Sequence, residues 1–117
     1  MKMLILLLAA GLARAESTGW ITGRELWVVT DRYKQRNMMP VSVKCKDSGA
    51  KGLDLSAGLV NMEWIPNSQG LGWTWMGSTN LKNDLADMKA QGYTLVSKDS
   101  FRRKSSGLPV YCLIFHK

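Results

Sequence analysis

Hydrophobic positions recur with helical spacing in the first third of the chain. Leu26, Val29 and Tyr33 fall three and four residues apart, which places their side chains on one face of a helix. The segment that starts at Thr22 fits a capping box, in which a hydroxyl and a glutamate satisfy the first free amides of a helix. The pattern predicts a helix over 23–36.

A second helical stripe lies in the last third of the chain. Leu81, Leu85 and Met88 share one helical face, and Gly92 follows at the position where a glycine commonly ends a helix. This pattern predicts a helix over 80–91.

Alternation with a period of two marks the strands. Val41, Val43 and Cys45 alternate with polar residues, which is typical of a strand with one wet face. The segment 98–107 is charged and is predicted to be a loop. Strands are predicted at 40–46, 58–65, 71–76, 93–97 and 108–115.

These elements predict one α+β domain over residues 16–117. Their order is α-β-β-β-α-β-β, and two helices packed on one face of a mainly antiparallel sheet of about five strands is the natural arrangement. The order can also be interpreted as two α-β-β units, one built on each helix. Recurrence of a common motif is the alternative explanation.

The first fifteen residues predict export. Lys2 gives a positive start, Met3–Ala13 is an apolar or small-residue run, and Ala13-Arg14-Ala15 is a small-x-small cleavage site. The run is about half the length that spans a bilayer, so we expect a signal peptide and no membrane span. Cleavage after Ala15 would leave a periplasmic or secreted domain, monomeric by default.

Two cysteines remain in the predicted mature chain. An even pair in an exported protein favours a disulfide between Cys45 and Cys112. Two buried free thiols are the alternative.

Basic residues outnumber acidic residues in the whole chain by sixteen to nine. A basic surface favours anionic partners. The triplet Arg102, Arg103 and Lys104 is a candidate contact for an anionic glycan or a lipid head group. A charged hairpin tip that serves only solubility is the other interpretation.

Five tryptophans are unusual in a chain of this size. Trp73 and Trp75 alternate with a threonine, so both point to one side of the predicted strand. They are either core residues that pack against the helices or an outer platform on which sugar rings or bases stack.

The sequence contains no recognisable catalytic or metal-binding motif. The single histidine, His116, is next to last, a position typical of a solvated chain end. We therefore expect no metal and no cofactor. A small hydrolase would require carboxylates such as Asp47, Asp54 and Asp99 to converge in a cleft.

The α-β-β-β-α order over 23–91 resembles that of the double-stranded-RNA-binding domain. The lysine-rich start of that family's second helix is absent, because this sequence reads Asn80-Leu81-Lys82-Asn83-Asp84. Export also argues against RNA, so we assign no family and expect no nucleic-acid partner. The sequence favours a small non-catalytic module that binds an anionic envelope component or a partner protein. The alternative is a cell-envelope hydrolase or an enzyme inhibitor.

Overall fold

The computed structural model describes residues 15–49 and 58–117. The predicted α+β class is confirmed, with two helices and seven strands among these residues. The predicted signal peptide, apart from Ala15, and Asp54 lie outside the described residues. In chain order the elements are β1 (Glu16–Ser17), β2 (Ile21–Thr22), α1 (Gly23–Gln35), β3 (Met38–Asp47), β4 (Gly58–Pro66), β5 (Trp73–Ser78), α2 (Leu81–Ala90), β6 (Thr94–Arg102) and β7 (Pro109–His116).

Both helices begin at side-chain caps. The capping box at α1 is confirmed: the Thr22 hydroxyl accepts from the Glu25 amide, and the Glu25 carboxylate accepts from the Thr22 amide. The side chain of Asn80 accepts from the Asn83 amide and starts α2. These bonds satisfy amides that a helix start leaves without intrahelical partners.

The strands form two antiparallel sheets, so the prediction of one sheet of about five strands was wrong. In the first sheet, β4 is central, with β3 on one side and the short β1 and β2 on the other. In the second sheet, β7 lies between β5 and β6. The single-sheet prediction failed because period two identifies strands but does not say which strands pair.

The two helices pack in different hydrophobic clusters, so the prediction that both cover one sheet face was also wrong. Leu26 and Tyr33 of α1 belong to a cluster that includes residues of β3, β4 and β7. Met88 of α2 packs with Leu113 and Phe115 on the second sheet. The second sheet is therefore covered on two faces, which explains the nearly continuous apolar sequence of β7. Among the described residues, no helix is long and apolar enough to cross a membrane.

β3 joins the two sheets through side chains of the second sheet. The amide of Val43 donates to Ser97 Oγ at 3.1 Å, and the amide of Cys45 donates to Asp99 Oδ2 at 2.8 Å. At the other end, His116 Nε2 donates to the Pro40 carbonyl oxygen at 2.7 Å. These bonds satisfy backbone groups of β3 that no neighbouring strand pairs.

β6 extends to Arg102, although 98–107 was predicted to be a loop. Its residues alternate between exposed and half-buried positions, as expected for a strand. The inward positions include Ser97 and Asp99, whose polar side chains bond to β3. The hydrophobic alternation is interrupted because the two central inward residues, Ser97 and Asp99, are hydrogen-bond acceptors.

The two sheets have the same connectivity. Each is made from a leading strand or strand pair, a helix and two further strands, and the last strand is central. The pairing register breaks between Pro40 and Ser42 in β3, and a matching break occurs in β6. Asn37 follows the C-cap of α1 and Gly92 follows the C-cap of α2, and both residues have positive φ. The distance along the sequence from Asn37 to Gly92 equals the distance between the two register breaks. The repeated unit is thus β-α-β-β, one element longer than the α-β-β unit considered from the sequence.

The predicted disulfide is confirmed. Cys45 of β3 is bonded to Cys112 of β7, and both cysteines are buried. The bond therefore links the two β-α-β-β units covalently at the place where β3 packs against the second sheet.

Replacement of both cysteines, C45A/C112A, should lower the free energy of unfolding by about 4 kcal/mol in the chain-entropy model. The reason is that the bond joins residues 67 positions apart and so restricts the unfolded chain. Urea unfolding of the variant and of the oxidised protein measures the difference. A loss below about 1 kcal/mol would show that the side-chain bonds between β3 and β6 hold the two units together without the disulfide.

Candidate functional site

An open groove of about 420 Å³ lies between α1 and β5. Three of the five tryptophans line it, together with side chains that carry hydroxyl, carboxylate and ammonium groups. An aromatic surface with a few polar groups is typical of a binding site. The lining residues are Trp27, Thr30, Asp31, Lys34, Leu71, Gly72, Trp73, Thr74 and Trp75.

The helical wall of the groove is one stripe of α1. Trp27, Thr30, Asp31 and Lys34 are spaced by three, one and three residues, so they share a face of the helix. The adjacent stripe carries the buried Leu26 and turns toward the core. The capping box fixes where the helix starts, and so helps to set which residues reach the groove.

The sheet wall of the groove runs along the edge of β5. β5 pairs with β7 on one side only, because it is the outer strand of the second sheet. Thr74 points to the opposite sheet face from Trp73 and Trp75, yet all three line the groove. The groove therefore reaches the strand edge as well as the tryptophan-bearing face.

The groove tryptophans are anchored to the core and to α1. Trp75 Nε1 donates to Thr30 Oγ1 at 2.8 Å, and its ring lies 4.7 Å from that of Trp27. Trp73 packs edge-on against Trp64 at 5.2 Å, and Trp64 stacks on Tyr33 at 4.7 Å. These contacts hold Trp73 and Trp75 in place, while Trp27 stays 67% exposed.

A buried asparagine fixes the turn that leads into β5. Asn67 Oδ1 accepts from the Leu71 amide, and Asn67 Nδ2 donates to the Leu71 carbonyl oxygen, both at 2.9 Å. The Asn67 amide also donates to the carbonyl of Asn37, just beyond α1, at 2.8 Å. Asn67 thereby ties the start of the sheet wall to the end of the helical wall.

The structure places the two predicted tryptophans at the boundary between core and surface. Trp73 and Trp75 are half-buried, and both pack against the cluster that contains Leu26 and Trp64. Their remaining surface lines the groove, so the core and platform interpretations each describe one side of the same rings. Trp27 is a groove residue that the sequence did not predict to bind a ligand. Its helical spacing from Thr30, Asp31 and Lys34 was the available signal.

The basic triplet does not form one surface. Arg103 is 8% exposed, and its Nε is buried without a hydrogen-bond partner. Arg102 and Lys104 are exposed on either side of it. Arg102 Nη1 donates to the Gly107 carbonyl oxygen at 2.8 Å, and the amide of Lys104 donates to Asp47 Oδ2 at 2.9 Å. The triplet is thus split because successive residues at the hairpin tip point in different directions.

A different basic surface lies on β6. Lys98 and Arg102 are two strand repeats apart, so both project from the same exposed face. Leu108 lies beyond the tip of the β6–β7 hairpin and is 64% exposed. It directly precedes Pro109, which pairs with Arg102. We call Lys98, Arg102, Lys104 and Leu108 the hairpin surface. Lys98 was not identified from the sequence because it was assigned to a loop.

The described carboxylates considered for hydrolysis bind backbone amides instead. Asp99 accepts from the Cys45 amide, and Asp47 accepts from the amides of Gly49 and Lys104. The Lys104 and Gly49 amides hold the pKa of Asp47 below its ordinary value. Both groups therefore have structural partners in the described fold.

The histidine is also placed differently from the expected solvated chain end. His116 is half-buried and bonds to β3, because the last strand ends at the junction between the sheets. Within residues 15–49 and 58–117, no three acidic, histidine or cysteine side chains are grouped so that they could hold a metal ion.

No family model, curated protein or solved structure matches this chain.

The stability of tryptophan variants should follow their burial. Trp64→Ala removes a fully buried ring that contacts Tyr33 and Trp73, and should lower the free energy of unfolding by about 3–5 kcal/mol. Trp27→Ala removes a mostly exposed ring and should lower it by less than about 1 kcal/mol. Urea unfolding measures both values. Equal losses would show that Trp27 is a structural residue, which would remove the main argument for a binding groove.

Proposed function

We propose that this protein is a small, exported, non-catalytic module that binds a partner protein of the cell envelope in the groove between α1 and β5. The disulfide supports a periplasmic or extracellular location, because such bonds persist in oxidising compartments. The predicted signal peptide supports the same location.

The observation that carries the proposal is the exposure of Trp27 at the rim of an aromatic groove. A tryptophan that is 67% exposed leaves a large apolar surface in water. Here it contacts Trp75, which is itself held by Thr30, so the exposed ring already has a defined position. Preorganised tryptophans of this kind are common among the residues that contribute most to protein–protein binding.

A protein partner is favoured over a glycan by the sheet wall of the groove. Stacking on the tryptophans would serve a sugar ring or an apolar side chain equally well. The edge of β5, however, presents backbone donors and acceptors in the regular spacing that another polypeptide matches. A partner that is an enzyme would make this module an inhibitor.

A second candidate function rests on Leu108. An exposed leucine at the end of the hairpin that carries Arg102 and Lys104 combines an apolar tip with positive charge, which suits contact with an anionic lipid surface. We propose this contact as an additional role of the hairpin surface, separate from partner binding in the groove.

Photo-crosslinking in the exporting cell tests the groove. A benzophenone amino acid at Thr74, inside the groove, should yield a defined protein adduct, whereas the same probe at the exposed Ser100 of β6 should not. Adding Trp27→Ala should lower the adduct yield at least about tenfold, since loss of a central interface tryptophan commonly weakens binding by about 2 kcal/mol or more. Val28→Ala is the matched control, because Val28 is exposed but does not line the groove.

Adducts of equal yield from Thr74 and Ser100, or insensitivity to Trp27→Ala, would refute partner binding in the groove. Retention of the protein on isolated envelope glycan that Trp27→Ala abolishes, without any protein adduct, would replace the protein partner with a glycan.

Vesicle sedimentation tests the hairpin surface. Binding to vesicles of phosphatidylglycerol and phosphatidylcholine at low salt should weaken by about 2 kcal/mol, or close to thirtyfold, in R102A/K104A, because each cation near an anionic surface contributes about 1 kcal/mol. The difference should shrink at high salt through screening. K82A/K89A, which removes two exposed lysines of α2, is the charge-matched control. Equal weakening in both double variants would show only a general charge effect.

A further inference from the structure

The groove includes a strand edge that no other strand covers. A site that recognises only the folded surface of a partner would not need such an edge. Within the described chain, the backbone of Trp73–Ser78 forms no hydrogen bond with any strand or helix other than β7, apart from the Trp75 carbonyl oxygen, which accepts from Thr74 Oγ1 of the same strand at 3.4 Å. The outer edge of β3, by contrast, is satisfied by Ser97 and Asp99. β6, the other outer strand of the second sheet, packs against β3. No strand pairs with the outer edge of β5.

The sequence of β5 does not protect this edge. Natural edge strands are usually guarded by charged residues, by proline or by a bulge, because an unpaired edge invites pairing with another chain. β5 reads Trp-Thr-Trp-Met-Gly-Ser, with no charge and no proline, and its pairing with β7 has no register break. An open and unguarded edge inside a proposed binding groove is suited to adding a strand.

We propose that the ligand of the groove is an extended segment of the partner protein that pairs with β5 as an additional, antiparallel strand. This inference rests on the proposed function and names its mode of recognition. Backbone hydrogen bonds to β5 would supply affinity, and alternate side chains of the segment would pack against Trp27, Trp73 and Trp75. The segment therefore carries large apolar residues at every second position.

The position of Lys34, at the end of the helical wall and one turn beyond Asp31, sets the direction of the segment. Trp27, near the start of α1, contacts Trp75, and Tyr33, near its end, is linked through Trp64 to Trp73, so α1 runs antiparallel to β5. Lys34 therefore lies toward the start of β5. A strand antiparallel to β5 ends there, and its terminal carboxylate or a final acidic residue would meet the Lys34 ammonium.

Synthetic peptides test the pairing directly. The probe is an eight-residue peptide that alternates serine with leucine or phenylalanine and has a free carboxylate at its end. Two N-methylated isomers serve as matched controls, one methylated at every serine and the other at every apolar residue. Successive amides of a strand point to opposite edges, so each isomer loses the donors of one edge and keeps all its side chains.

Tryptophan fluorescence titration should show that one N-methylated isomer binds at least about tenfold more weakly, while the other binds like the parent peptide. Saturation with the parent should slow hydrogen exchange of amides within 73–78 by about tenfold or more. Amidation of the peptide terminus should weaken binding several-fold, and Lys34→Ala should remove that difference. Trp27→Ala should abolish binding of every peptide.

Binding that depends on Trp27, with both isomers equal and exchange of 73–78 unchanged, would overturn strand pairing and leave partner binding in the groove intact. Absence of binding by every peptide at millimolar concentration would also overturn strand pairing, while the Thr74 adduct would still decide the proposed function. Equal binding of the amidated and free peptides would overturn the assigned direction.

Discussion

The fold depends on how the outer edge of β3 is satisfied. β3 is an edge strand of the first sheet, and its unpaired amides face the second sheet, where an unsatisfied amide would cost about 1–3 kcal/mol. Ser97 and Asp99 accept from the Val43 and Cys45 amides, and the Cys45–Cys112 bond holds the contact covalently. β3 is thereby paired with β4 along one edge and with the side chains of Ser97 and Asp99 along the other.

This junction creates the candidate site as a consequence of packing. α1 and β3 belong to the same unit. Because β3 packs on the second sheet, α1 lies beside the tryptophan-bearing end of β5. The Asn67 bonds tie the intervening turn to both walls of the groove. Neither unit contains the groove alone, because its helical wall belongs to the first unit and its sheet wall to the second.

Aromatic contacts link the core to the surface of the groove. Tyr33, Trp64 and Trp73 form a continuous series of ring contacts, and a separate pair joins Trp75 to Trp27. A ligand that contacts Trp27 would thus meet a surface whose geometry is set by buried packing. Ordering of flexible side chains is a major loss in binding, and rings fixed in advance reduce it.

The sequence by itself determined the local structure: the helix at the Thr22 capping box, the stripe of Leu81 and Leu85, and the α+β class. It also predicted the Cys45–Cys112 pair, because the cysteine number and the expected oxidising compartment favoured a disulfide over two free thiols. Local periodicity reports which face of an element is buried, and for these segments burial follows hydrophobicity.

Only the tertiary structure decided which strands pair, where each helix packs and which surfaces remain open. The strand at Lys98–Arg102 was missed because its inward Asp99 is an acceptor for β3, a role that has no hydrophobic signature and that interrupts the alternation. Arg103 was grouped with its neighbours because adjacency in sequence does not reveal that one of three basic side chains is buried. The groove combines a helix stripe with a strand edge some forty residues later, and no local pattern contains a contact between distant segments.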